Sequence, residues 1–546
     1  MSGYPMMMQE SIKKLEQTRS FRLSQEIPRM PFAEREALLH EWHPDYRPDS
    51  IKEVRIGPNK GEKLTNKLVD LLEGRSCVDP DQVNLNQIDY DVDILVIGAG
   101  GGGVSAALIA QEKGARVLMA TKLRIGDSNT VMAEGGIAAA TQANDSLDRH
   151  FLDTMGGGRF KNKRDVVSTL VHDAPLMVEW LKDLGCMFDT KDNGDFVVSF
   201  AGGHQRRRVH SCKDLSGLEF MRVIRDEFRN QKIPLLEYTP AVELLLDEEG
   251  KCTGALLQNM ETGEYLVVKA KAVILATGGI GRLHPCDFPT TNHYGATADG
   301  LVIAYRAGAN LLHMGNIQFH PTGAMWPEQM LGQLITEACR GNGAQLVNVK
   351  GERFINELET RDTVSSGILR EVQGRGNGIP TPTGRAGIWL DTPLINIRGD
   401  AGKLDRMFAG IVHRFHEYGI NVREEPILIF PTQHYQNGGV EIDPEARTKV
   451  PGLYAAGECS GGVQGINRLG GNSLLDIFVF GHRSAHSAVT YIKSAQVGAP
   501  SLQHVKKYHQ QLKDLGIHNG LISPILLPDY TREEVKVRSA NGASMN

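Results

Sequence analysis

Four short blocks between Phe319 and Gly470 hold side chains able to do chemistry together: Phe319-His320-Pro-Thr-Gly, Thr336-Glu337-Ala-Cys-Arg340-Gly, Arg361-Asp362, and His434-Tyr435 followed by Asn467-Arg468-Leu-Gly. They supply Arg340, Arg361, Arg468, His320, His434, the hydroxyl of Thr336 and the carboxylate of Glu337. Arginine presents a rigid fork of donors that grips a carboxylate through two parallel hydrogen bonds, so this set suits a small dianion. Glu337 and Arg340 stand three apart, which on a short helical turn puts them on one face. Cys339 beside them reads as a packed small residue, with a reactive thiol as the alternative.

These blocks need a scaffold, and the region upstream supplies one. The run Asp91-Val-Asp-Ile-Leu-Val-Ile97 suits a buried parallel strand. It leads into Gly98-Ala-Gly100-Gly-Gly-Gly103 and then a helical stretch from Val104, the order of a dinucleotide-binding turn. Gly98 permits the tight turn, Gly100 lets the backbone approach a pyrophosphate, and Gly103 allows close helix–strand packing, with the phosphates on the positive helix end. The second strand ends in Thr121-Lys122, where nicotinamide enzymes place a ribose-binding acid, so that class of cofactor is disfavoured. Val273-Ile-Leu-Ala-Thr277-Gly278-Gly279 is a further buried strand ending in small residues that pass near a nucleotide.

A chain of 546 residues divides into two or three domains. With 41% hydrophobic and 23% charged residues, a net charge of −5 and a pI near 6.4, neither nucleic acid nor an anionic membrane is an expected partner. No apolar run reaches the ~18 residues of a membrane span, and residues 1–29 lack the apolar segment of an export signal. The expected location is cytoplasmic, with membrane contact only through partners. The seven cysteines show no CxxC spacing, so any iron–sulfur cluster feeding the chain sits on another polypeptide. Arg206-Arg-Arg208, between His204 and His210, reads as a structural basic loop, with an anion contact as the alternative and no metal site. His413 and His416 are ordinary surface residues.

From about Tyr90 to about Ser487 these motifs, in order and spacing, resemble the flavoprotein subunit of the fumarate reductase/succinate dehydrogenase family. The resemblance implies an α/β fold with a discontinuous Rossmann-like FAD-binding domain (89–313 and 432–495) and an inserted α+β capping domain (314–431). Residues 1–88 are then an appended segment, read as a strap on the flavin domain or as a surface for a partner. Residues 496–546 form a short helical tail. A Ser/Thr-Lys pair at Thr121-Lys122 is usual in the family. The loop Gly126 to Ile137, with Ser128, Asn129, Thr130, Gly135 and Gly136, passes the flavin. Many members carry a covalently linked histidine where Asn129 stands; asparagine cannot form that bond, so FAD is expected unlinked, with a lower potential that favours reduction. Asp299 matches an FAD-contacting aspartate and Glu458 a flavin-ribose acceptor, while Asn472, Ser473 and Leu474 open a helix facing the flavin pyrimidine.

The same resemblance assigns roles in the site. Arg468 and His434 grip one carboxylate, His320 and Thr336 hold and twist the other, Arg361 donates the proton, and Glu337 with Arg340 resupplies it. The implied reaction is fumarate to succinate, or the reverse, by hydride transfer from flavin N5. The chain would act as one subunit beside an iron–sulfur or other electron-carrier subunit. Alternatives are an L-aspartate oxidase and a non-catalytic flavin relay.

Overall fold

The apolar segments upstream of the reactive blocks form one sheet. In the computed structural model, which describes residues 3–531, the strand Tyr90–Ile97 pairs in parallel with Tyr265–Leu275 on one side and Val117–Ala120 on the other. These belong to a seven-stranded sheet whose other members include Ala241–Leu246, Cys252–Gln258 and Leu453–Ala455. Ile94 to Ile97 are buried, as a central strand covered on both faces requires. Tyr265–Leu275 changes neighbour midway. Its first half runs antiparallel to Cys252–Gln258, and Val273 to Leu275 pair in parallel with Leu453–Ala455. The C-terminal reactive blocks are thereby returned to the strand that leads into Thr277.

The helix Gly101–Glu112 follows the glycine turn, and the helix Asn472–Ile492 lies across it. A Cβ on Gly481 would stand 2.8 Å from the carbonyl of Gly102, so the two helices meet at their backbones. One apolar cluster spans both helices and the sheet.

A second, five-stranded antiparallel sheet holds the reactive strands. Ile317–Ala324 pairs with Ile427–Gln436, which pairs with Ala386–Asp391 and through it with Gln345–Val347. Trp389, Phe415 and Ile427 to Ile429 form the centre of its own apolar cluster. Ile427–Gln436 runs past residue 431, so one continuous strand holds core residues at its start and His434 near its end.

The N-terminal segment differs from the expectation of a strap on the flavin-binding part. Tyr4, Met8, Ile12 and Leu15 recur at helical spacing and bury against the second sheet, where the Tyr4 ring meets Trp389 edge-on at 5.1 Å. Arg22, 1% exposed, donates to Asp391 at 2.8 Å and to Gln345 at 2.7 Å. Val54, Ile56, Leu64 and Leu68 instead join the first cluster. The segment therefore spans both sheets, because helical periodicity defines an apolar stripe but not the surface it will cover. The helix Gln503–Asp514 forms as expected, and residues 532–546 of the tail lie outside the described residues. No helix among the described residues is long and apolar enough to cross a membrane.

Candidate active site

The glycine turn forms one end of a long groove. Gly98 has φ +105°, open only to glycine, and a Cβ there would stand 2.3 Å from the carbonyl of Ala276. A Cβ on Gly103 would lie 1.8 Å from the carbonyl of Gly98, which explains the third glycine as a packing residue outside the groove. Gly98, Gly100, Thr121, Lys122, Ser128, Asn129, Thr130, Thr277, Gly278, Asp299, Glu458, Ser473 and Leu474 all line the groove. Lys122 and Asp299 pair at 2.8 Å, and the buried hydroxyl of Thr277 has no hydrogen-bond partner among the described residues. A backbone cradle with no side chains in the way, ending in an orphaned hydroxyl, fits a phosphate- and ribose-bearing cofactor such as FAD.

Asn129 sits at a junction of this groove. Its amide donates to Glu458 at 2.9 Å and accepts from the His293 backbone at 2.6 Å, while Glu458 also accepts from the Gln436 backbone at 3.0 Å. Besides Gly103, three expected cofactor residues do not line the groove. Gly135 and Gly136 line the neighbouring cavity, and Gly136 is glycine because a Cβ would stand 1.9 Å from the carbonyl of His210. The Asn472 side chain turns away to His150 and Thr154, both at 3.0 Å, and so anchors the start of its helix.

That neighbouring cavity, of about 270 Å³, shares Ala133, Leu334, His434, Ser473 and Leu474 with the groove. His320, Thr336, Glu337, Arg361, His434 and Arg468 all line it. Strand register explains part of this convergence. His320 lies opposite Thr432, and a register shift between Gln318 and Phe319 leaves His434 as the extra residue of a bulge in the partner strand, which brings the two imidazoles to 5.0 Å. Arg361 opens the helix Arg361–Leu369; its Nε donates to Glu337 at 2.6 Å and its Nη1 to Gln318 at 3.1 Å. Its Nη2 makes no hydrogen bond to the described residues. Arg468 donates to Gln318 at 2.8 Å and to Ser473 at 2.7 Å, and lies 4.4 Å over the Tyr435 ring. Arg340 does not line the cavity. It stands behind Glu337, 3.7 Å from its carboxylate, and donates to the carbonyl of Glu357.

Two guanidiniums, Arg340 and Arg361, contact the carboxylate of Glu337, and Arg468 joins Arg361 at the Gln318 oxygen. Burial would raise the Glu337 pKa, but Arg361 and Arg340 outweigh it and hold the group at about 2. Burial, then Arg361, pushes Arg468 down to about 9. Burial and the same cations push His320 and His434 well below the usual imidazole range, so both rings are neutral. For His320 the Thr322 backbone donates to Nδ1 at 3.3 Å, which leaves Nε2–H as the donor toward a ligand.

Gln318 is the site residue that motif reading passed over. Its single side-chain oxygen accepts from both Arg361 and Arg468, and its amide donates to the Arg468 carbonyl at 2.6 Å. The signal was present, since strand alternation places it on the face of His320 two residues on. Of the basic loop, Arg208 is structural. It is fully buried, pairs with Asp145 at 2.8 Å and Asp153 at 2.7 Å, and donates to His204. Cys339 is a packed residue, 1% exposed, whose thiol burial pushes far up.

Comparison with known proteins agrees with this geometry. Residues 93–474 match the FAD binding domain family. The chain is 37% identical over 459 residues to a subunit of the fumarate reductase (CoM/CoB) of Methanothermobacter marburgensis, covering 81% of this chain and 80% of that one. It is 36% identical over 429 residues to an L-aspartate oxidase of Streptomyces coelicolor, covering 75% and 71%. Among solved structures, a variant of the Escherichia coli quinol fumarate reductase flavoprotein superposes with a TM-score of 0.70 at 31% identity, covering 79% of this chain and 74% of that one.

Proposed function

This chain belongs to the FAD-dependent oxidoreductase family of the fumarate reductase and succinate dehydrogenase flavoproteins, and from that premise we propose that it reduces fumarate to succinate, or runs the reverse, within an electron-transfer complex. The observation that carries the reading is the charge of the inner cluster. Arg361 and Arg468, with Arg340 behind them and two neutral imidazoles beside them, present the donors that match a dianion. FAD, when bound, supplies the hydride. Arg468 and His434 hold one carboxylate, and His320 through Nε2–H, with Thr336, holds the other. Fixing both ends orients the double bond against the shared wall of Leu334, Ser473 and Leu474. Arg361 has Nε on Glu337 and Nη1 on Gln318, which leaves Nη2 to give the proton to the alkene carbon. Glu337, ionised and touching both Arg361 and Arg340, passes the replacement proton inward. Residues 314–431 act as the cap that excludes water from these contacts. Asn129 replaces a covalent tether by clasping Glu458 and the His293 backbone, so FAD is held without a bond to the protein. An iron–sulfur or other carrier subunit completes the electron path.

The test is anaerobic. The flavoprotein is reduced chemically, fumarate is added, and the visible band of oxidised flavin is followed. Prompt return of the band with succinate as product is expected, and a flavin that stays reduced overturns the assignment. A second reading, L-aspartate oxidase, is favoured by the comparable identity to that relative. Flavin reduction by L-aspartate with release of ammonia would establish it. The same site residues serve either reading, so the response to the two substrates decides between them.

A further inference from the structure

We propose that residues 25–30 of the N-terminal segment hold and wall the proton inlet of this site, an inference that rests on the fumarate reductase reading and adds a positioning role for the strap. The inner end of the relay is away from substrate. Arg340 borders a separate cavity of about 600 Å³, far above the roughly 10–15 Å³ that one water needs. One wall of that cavity is Gln25 to Pro28, and the other includes Arg340 and the loop containing Arg353 and Glu357. Glu26, Pro28 and Arg398 at its edge are exposed, so the space meets solvent.

The Arg340 side chain is fully buried, and its Nε and Nη2 have no hydrogen-bond partner among the described residues. Buried donors in that condition call for a partner, and water admitted from the adjoining cavity is the one at hand. The loop 353–360 governs that contact. The carbonyl of Glu357 accepts from Arg340, its carboxylate is held by Arg353 at 2.6 Å, and the loop leads directly into Arg361. One loop thus touches the inner end of the relay and leads into its outer end.

Three hydrogen bonds tie this loop to the strap. Arg353 donates to the Gln25 carbonyl at 2.6 Å, Asn356 donates to the Ile27 carbonyl at 2.8 Å, and the Met30 backbone donates to Glu359 at 2.7 Å. Arg353, Asn356 and Glu359 are positioning residues. None of the three lines the substrate cavity, and they keep Arg340 between Glu337 and the water-accessible side.

The experiment uses the full flavin-loaded chain with Asn356→Ala and, separately, Arg353→Met. Each protein is reduced anaerobically and reoxidised by fumarate in H2O and in D2O, and by ferricyanide, which takes electrons without a proton from Arg361. Succinate affinity is read from the oxidised flavin spectrum. The expected result is fumarate reoxidation slowed about tenfold with an enlarged solvent isotope effect, while ferricyanide reoxidation and succinate affinity stay unchanged. Should Arg353→Met fail to fold, Asn356→Ala, which removes one hydrogen bond, decides the matter. Unchanged fumarate rates and isotope effects overturn the inference, as does equal slowing with both oxidants. An unmodified protein inert to fumarate overturns the underlying reading as well, which distinguishes the two failures.

Discussion

Replacing Gln318 by leucine tests the geometry of the site more sharply than removing any of its charges. Gln318 is 2% exposed, and one oxygen accepts from Arg361 at 3.1 Å and from Arg468 at 2.8 Å. That shared acceptor holds two like-charged groups in register. Leucine is close in volume, so the change removes the acceptor without opening a large cavity. A hydrogen bond to a charged group contributes about 1.5–3 kcal/mol, giving an upper bound of about 3–6 kcal/mol for the pair. Much of that loss falls equally on the free and substrate-bound states. Taking about half as the differential part, the transition state loses about 1.5–3 kcal/mol, or tenfold to more than a hundredfold in kcat/KM. The assay is fumarate-dependent reoxidation over a range of fumarate concentrations, with flavin content and thermal midpoint as controls. A loaded, folded Gln318→Leu protein whose kcat/KM lies within threefold of the unmodified one would falsify the bridging role.

Acid should weaken the fold through Glu337. Its pKa is lowered from 4.5 to about 2, so its contribution of about 3 kcal/mol is present above pH 4.5 and is lost as pH falls toward 2, with about 2 kcal/mol gone by pH 3. Urea midpoints between pH 3 and pH 7 should therefore converge for the unmodified and Glu337→Gln proteins at the acid end, and parallel curves refute this. Acid precipitation should leave FAD in the supernatant, since Asn129 offers no ring nitrogen; flavin remaining on the washed polypeptide contradicts that. Arg22→Met leaves the buried Asp391 with Arg19 as its remaining ion-pair partner and should cost about 2–4 kcal/mol in chemical denaturation, against no change if the N-terminal helix were a loose attachment.

Short-range rules made part of this protein legible from its sequence. The strand, glycine turn and helix from Tyr90 to Glu112 follow from apolar runs and from glycine at a backbone position closed to other residues, and both are local properties. The reactive blocks identified the arginines, histidines and Glu337 that meet at one end of the inner cavity, because arginine and histidine in such density are rarely there for packing.

What the sequence could not supply depended on distances between residues remote along the chain. The N-terminal helix declared an apolar stripe, yet only the fold showed that Trp389 covers it. The partners of the Asn472 side chain, His150 and Thr154, lie more than 300 positions away and were not readable from the motif. Gln318 became a site residue only once Arg361 and Arg468, 43 and 150 positions away, met at its oxygen. By itself, then, the sequence determined which groups exist and which backbone turns can form. Which of those groups are charged, and which share a proton or an anion, was decided by tertiary structure, because burial and Coulomb interaction act through space over a few ångströms and not along the chain.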